Sequence, residues 1–191
     1  MASPLRLTFR PLTLETWPDV EALFGPRGAC GGCWCMAYRL RHADYVAGKG
    51  IRNKRRLKRL AASGRPPGVL AYHGNRPVGW CAIAPRVDYQ ALARSRVLAP
   101  VDDEPVWSIT CFFIDKAYRR RGVSAALATA ATRLARRLGA RIVEAYPVDP
   151  GKRLPDAFAW TGLPSTLRDA GFVEVARRSR ARPIMRRRLR G

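Results

Sequence analysis

Between Val106 and Gly139 the chain reads VWSITCFFIDKAYRRRGVSAALATAATRLARRLG, and this stretch constrains the fold more than any other. Val106 to Ile114 is rich in β-branched and aromatic residues, a strand signal. A basic turn with one glycine follows, Arg119-Arg120-Arg121-Gly122-Val123-Ser124. The alanine-rich segment after it has no glycine or proline until Gly139, which predicts a helix. Strand, glycine turn and helix together make a phosphate-binding arrangement. The first N–H groups of a helix lack intrahelical acceptors, and the dipole places about half a positive charge there. A glycine lets an anion approach the backbone closely.

The length of 191 residues fits a single domain, 1–191, with a sizeable core, and a hydrophobic fraction of 47% excludes a disordered chain. The formal net charge is +22. Such a field attracts polyanions: nucleic acid, an acidic membrane surface or phosphorylated cofactors. Arginine and alanine enrichment also follows from a GC-rich genome, so charge alone does not assign a function. MASPLRLTFR has no apolar h-region, and no run approaches the roughly 20 apolar residues of a membrane span. Five cysteines are an odd number for a disulfide framework. A reduced, cytoplasmic protein without membrane contact is expected.

In chain order, Leu5 to Phe9 alternates as a strand and Leu14 to Phe24 has helical spacing, with Thr13 as cap and Gly25-Pro26 as stop. Tyr45 to Ala62 predicts one long helix, its outward face holding Arg52, Lys54, Arg55, Arg56, Lys58 and Arg59. Val69 to Tyr72 and Pro77 to Ile83 predict a hairpin around His73-Gly74-Asn75-Arg76. Gly79, inside the second strand, signals a close approach or a bulge. Tyr89 to Val97 is a short helix. Arg141 to Tyr146 is a strand, followed by a loop through Pro155, a helix from Ser165 to Ala170, and strands at Phe172 to Ala176 and Ile184 to Leu189. The result is an α/β fold with a mixed sheet.

Gly28 to Arg39, GACGGCWCMAYR, is the oddest segment. Cys30, Cys33 and Cys35 have chelating spacing, with His42 near. A structural zinc needs four ligands, usually two separated pairs, and no second pair exists, so no metal is expected. Cysteine as a small buried hydrophobe is the favoured reading, with a catalytic thiolate as the alternative.

Phe112 to Ser124 resembles the acetyl-CoA signature of the GNAT superfamily of N-acetyltransferases, Gln/Arg-x-x-Gly-x-Gly/Ala at the start of the helix after the fourth strand. Arg119, Gly122 and Ser124 occupy its defined places, and serine in the last is a small departure. The hairpin Leu70 to Ile83 resembles the family's second and third strands, and Ala170-Gly171-Phe172 its late helix-to-strand junction. The resemblance implies a GNAT-like, mostly antiparallel central sheet flanked by helices, with splayed fourth and fifth strands. It implies acetyl-CoA as cosubstrate, held by Phe112, Phe113, Ile114, Arg119, Arg120, Arg121, Gly122, Val123, Ser124 and Ala125. An amine would attack the thioester directly, with a backbone N–H of the fourth strand stabilising the oxyanion.

Many family members use a tyrosine shortly before the Gly-Phe junction as the acid, but that place falls here at Leu167. Tyr146 is the nearest substitute. Glu144, which shares its strand parity, and Glu104 are the candidate bases. The family builds its acceptor wall after the first helix, which implies Trp34, Cys35, Met36 and Arg39 as acceptor contacts. The acceptor class stays open between a small molecule and a peptide or protein amine, and the assembly between monomer and homodimer. The alternative function is a nucleic-acid-binding protein of this fold, including one that acetylates an aminoacyl-tRNA amine. It rests on the Arg52 to Arg59 face and the arginine-rich end.

Overall fold

The computed structural model describes residues 5–151 and 159–189; the loop position Pro155 and the terminal Arg190 lie outside them. The described strands are β1 (Leu7–Pro11), β2 (Gly68–His73), β3 (Arg76–Pro85), β4 (Trp107–Ile114), β5 (Ile142–Ala145), β6 (Val173–Arg177) and β7 (Pro183–Arg188). They form one sheet in the order β1-β2-β3-β4-β5-β7-β6. Every neighbouring pair is antiparallel except β4 with β5. A parallel pair needs a crossover, and α5 (Val123–Arg137) supplies it. The other helices are α1 (Trp17–Phe24), α2 (His42–Ala47), α3 (Ile51–Ala61), α4 (Gln90–Ala93) and α6 (Pro164–Asp169). Among the described residues no helix is long and apolar enough to cross a membrane.

Each face of the sheet is covered, which is why β3 is buried almost throughout. On one face α5 sets Val123, Leu127, Ala131 and Leu134 against Val69, Ala71, Cys81, Ile83 and Ile109. Its alanines let the helix lie close, and so does Gly79: a Cβ there would stand 2.9 Å from Leu127 Cδ1. On the other face Trp17, Val20 and Phe24 of α1 and Leu57 of α3 pack on Leu70, Tyr72, Trp80 and Ala82. A smaller cluster of Tyr89, Leu92, Leu98, Tyr146 and Ile184 continues that face toward β5 and β7.

Three helices differ from the periodicity reading. The segment expected as one helix from Tyr45 to Ala62 is two, because Gly48 and Gly50 interrupt it and Gly50 takes a left-handed φ of +83°. α1 starts at Trp17 rather than Leu14. The Thr16 hydroxyl accepts the Thr13 N–H at 2.9 Å and donates to the Pro11 carbonyl at 2.9 Å, which holds that stretch in a turn. Of Tyr89 to Val97 only Gln90–Ala93 is α-helical.

The feature that positions the site is a bulge in β4. Ala82 faces Cys111 but Ile83 faces Ile109, so Thr110 is an extra residue. Pairing of β4 with β5 ends at the same level, with Ile109 opposite Ala145. Beyond it β4 runs on to Ile114 without β5, and the strands fork.

Packing over β2 generates a test. A Cβ on Gly68 would lie 2.3 Å from the Cys81 carbonyl oxygen and 2.4 Å from the Trp80 ring. Gly68→Ala should cost about 1–3 kcal/mol and lower Tm by roughly 2–12 °C, checked by calorimetric unfolding.

Candidate active site

The fork exposes one edge of β4. Asp115 N–H donates to the Val78 carbonyl of β3 at 3.0 Å, and strand alternation then turns the N–H and C=O groups of Phe112 and Ile114 away from β3, into the fork. Phe112 N–H donates to the Trp160 carbonyl at 2.6 Å, and Gly162 accepts from Val148 N–H at 3.1 Å, so Trp160 to Gly162 bridges the fork. Arg119 Nε donates to the Ile114 carbonyl at 3.2 Å. Ile114 N–H has no hydrogen-bond partner among the described residues, and Phe112 C=O accepts only the weak Cys111 thiol contact at 3.8 Å, so the two remain as an adjacent donor and acceptor.

Below the fork the chain turns into α5. Gly122 is the N-cap residue, at φ +77°. A Cβ on it would meet nothing within 4 Å, so open space lies beside this backbone. The first α-helical bond is Ala126 N–H to the Gly122 carbonyl at 3.1 Å. The amides of Val123, Ser124 and Ala125 therefore have no acceptor within the helix, and Gly122 has no side chain with which to cap them. Arg119, Arg120 and Arg121 precede them; Arg120 is itself left-handed at φ +58°, and Arg121 lies 5.5 Å over the Tyr118 ring.

On the sheet face away from α5, a polar cluster sits where β4 and β5 part. Ser108, Glu144 and Arg186 are cross-strand neighbours on β4, β5 and β7. Tyr146 donates to Glu144 Oε2 at 2.9 Å and accepts from Arg86 Nη1 at 2.7 Å. With the phenolic proton so placed, Ser108, at 2.8 Å, donates to the same oxygen. Arg186 reaches Glu144 Oε1 at 2.7 Å and Asp102 at 2.5 Å. Glu144 and Tyr146 are each 1% exposed. Burial, reinforced by the Glu144 carboxylate, pushes the Tyr146 phenol well above its ordinary range.

Strand parity thus brings Glu144 and Tyr146 together as expected. Glu104 is elsewhere, 2.7 Å from Arg188 in an exposed pair. Trp34, Cys35 and Met36 are built into the core rather than onto a pocket surface. Trp34 lies 6.0 Å from Trp17 and 5.5 Å from Phe24, and Lys54 already occupies its face at 5.2 Å. Arg39, 7% exposed, lies 4.8 Å over Tyr89 and 3.9 Å from Asp88, so the chain supplies its carboxylate. Cys35 takes the Trp80 indole N–H at 3.0 Å and sits 3.2 Å from the Cys111 sulfur. Burial holds its thiol well above the usual range, which suits packing rather than nucleophilic attack. Among the described residues no group of three His, Cys, Asp or Glu side chains is placed to hold a metal ion.

Sequence reasoning missed Ser108 and Arg86 as partners of Tyr146, and Arg186 as the partner of Glu144. A serine inside the apolar run of β4 was the available signal. It also missed the fork mouth, where Tyr38 and Trp160 lie 5.6 Å apart and Arg182 donates to the Tyr38 hydroxyl at 2.7 Å.

The family model described as Acetyltransferase (GNAT) family matches residues 34–154. No curated protein matches the chain. Among solved structures, the GNAT domain of S. lividans PAT is similar at TM-score 0.52 and 15% identity, over 95% of this chain and 89% of that one. YncA of Salmonella typhimurium, solved with its cofactor acetyl-CoA, is similar at 0.53 and 13%, over 96% and 94%. PaiA N-acetyltransferase of Thermoplasma acidophilum, in complex with coenzyme A, is similar at 0.54 and 12%, over 96% and 99%. At these identities the likeness is one of fold.

The buried pair generates a prediction. Glu144→Ala strands Arg186 with Asp102 alone, whose side chain is 38% exposed. The loss expected in urea unfolding is about 3–5 kcal/mol.

Proposed function

The chain belongs to the GNAT acetyltransferase family, the acetyl-CoA-dependent N-acetyltransferases, and from that premise we propose that it moves an acetyl group from acetyl-CoA to an amine by direct attack, without a covalent enzyme intermediate. The observation that carries this reading is the uncapped start of α5 at Gly122, below the open edge of β4. Acetyl-CoA supplies the activated thioester.

The residues present fit that cosubstrate. Unpaired amides from Val123 to Ala125, open space beside Gly122 and the adjacent arginines suit a pyrophosphate. Ile114 N–H and Phe112 C=O suit the amides of a pantetheine arm added like a strand. Trp160 to Gly162 narrows the fork on its other side and limits the β4 donors left for the reacting carbonyl.

The two proton jobs divide by environment. Tyr146 keeps its proton across physiological pH, so it can donate but not act as a base. We assign it the donor role toward the departing thiolate, its O–H turning from Glu144 Oε2 to the sulfur while Ser108 and Arg86 go on donating to its oxygen. Glu144 has both oxygens engaged and serves to hold Tyr146. The attacking ammonium then loses its proton to water. The acceptor amine approaches past Tyr38 and the partly exposed Trp160. A net charge of +22 disfavours strongly cationic acceptors at long range.

Calorimetry should show acetyl-CoA binding to the wild type and binding at least about tenfold weaker to Gly122→Trp, which fills the open space and strains a left-handed position. No binding by the wild type, or equal binding by both, would sink the reading. In a thiol-release assay across amine classes, Tyr146→Phe should lower kcat by about 10²-fold and leave acetyl-CoA affinity unchanged. Trp160→Ala should raise the acceptor KM; an unchanged acceptor KM removes the fork mouth as the acceptor route.

A further inference from the structure

We propose that the groove along α3 docks the phosphodiester backbone of a single nucleic-acid strand, at a site separate from the acetyl-transfer fork and independent of that reading. α3 carries more positive charge than its own folding can use. Its inward residues are Asn53, Leu57 and Ala61. Outward it presents Arg52, Arg55, Lys58 and Arg59, with no acidic residue on the helix. Lys58 and Arg59, in the last turn, complement the negative end of the helix dipole. Arg52 stands in the first turn, where the dipole disfavours a cation. Arg52 with Arg56 and Arg55 with Arg59 are like charges one turn apart, which opposes the helix.

Nearby acidic and carbonyl groups do not absorb this charge. Glu21 pairs with Lys54. Arg56 is anchored on the Asp44 carbonyl at 3.1 Å and on Asn53 Oδ1 at 3.0 Å. Arg52, Arg55 and Arg59 have no hydrogen-bond or ion-pair partner among the described residues.

These cations line a groove of about 580 Å³ that also takes in Leu14 and Ala62. Its form and chemistry select the occupant. Guanidinium forks bind phosphate oxygens in bidentate fashion. The groove is shallow and open along one side of α3, and Leu14 alone is too little apolar surface to insert into a bilayer. No acidic residue lines it, and no aromatic offers a stacking platform, so backbone rather than bases would be read. Leu14 is the one large apolar side chain in the lining, too little for a protein-interface core.

The test is fluorescence anisotropy of a labelled, mixed-sequence single-stranded RNA over a salt series. Arg52→Ala/Arg55→Ala/Arg59→Ala should reduce the slope of log K against log salt by about 2 and weaken binding about 100-fold near 0.1 M salt. Arg133→Ala/Arg136→Ala/Arg137→Ala removes the same charge from the exposed side of α5 and should change binding by less than about threefold. Replacing the α3 arginines by lysine should recover most of the slope, which separates lost contacts from lost folding. Equal losses from the two alanine triples would overturn the proposal, leaving only diffuse attraction. So would no wild-type binding, or α3-dependent binding of anionic vesicles or polyglutamate that is tighter than that of RNA. Acetyl-CoA turnover measured on the same variants keeps this outcome distinct from that of the fork.

Discussion

The extra residue Thr110 in β4 is the constraint on which the rest of the site depends. A strand paired on both edges offers no backbone group to a ligand. The bulge coincides with the end of β4–β5 pairing at Ile109 and Ala145, and the far half of β4 becomes an edge free of β5. The crossover through α5 makes this geometry available, because it brings β5 back parallel to β4 and so lets the two strands diverge at their C-terminal ends. The uncapped amides of α5 then open below that edge. A donor–acceptor edge and an anion-seeking helix start are thereby juxtaposed by backbone alone.

The polar cluster holds the fork at its root. Ser108, Glu144 and Arg186 sit in one row across β4, β5 and β7. Arg186 ties the row to Asp102, and Tyr146 closes it onto Arg86. Buried charges of this kind persist only when every lone pair is used, and here both Glu144 oxygens are. The same hydrogen bonds engage both Glu144 oxygens and orient the Tyr146 hydroxyl. The cysteine-rich segment does an equivalent job on the other side of the fork. Its left-handed turns at Trp34 and Cys35 press an indole and a thiol into the core behind β4.

Much of the fold was legible because it rests on local rules. Alternation located β1, a β-branched and aromatic run located β4, the glycine-free alanine run located α5, and Gly79 marked a close approach or a bulge in the strand against which that helix packs. Helix boundaries were less legible where local competition decided them, as with the Thr16 hydroxyl before α1 and the two glycines between α2 and α3. Strand parity correctly joined Glu144 with Tyr146. It said nothing of Arg86 or Arg186, which come from distant segments.

By itself the sequence determined the strand–turn–helix unit and its basic, glycine-capped helix start. One glycine at positive φ followed by a helix start is a local property, carried by a dozen adjacent residues. Tertiary structure alone decided which side chains surround it. Register across three strands set the partners of Tyr146, and helix packing put Trp34 behind the site instead of in it. Only the folded chain bridges the fork with Trp160 to Gly162. Such contacts join residues far apart in the chain, and no local period encodes them. The arginines divide the same way: their number is in the sequence, but which are spent on neighbours and which, among the described residues, have no partner along α3 is a matter of packing.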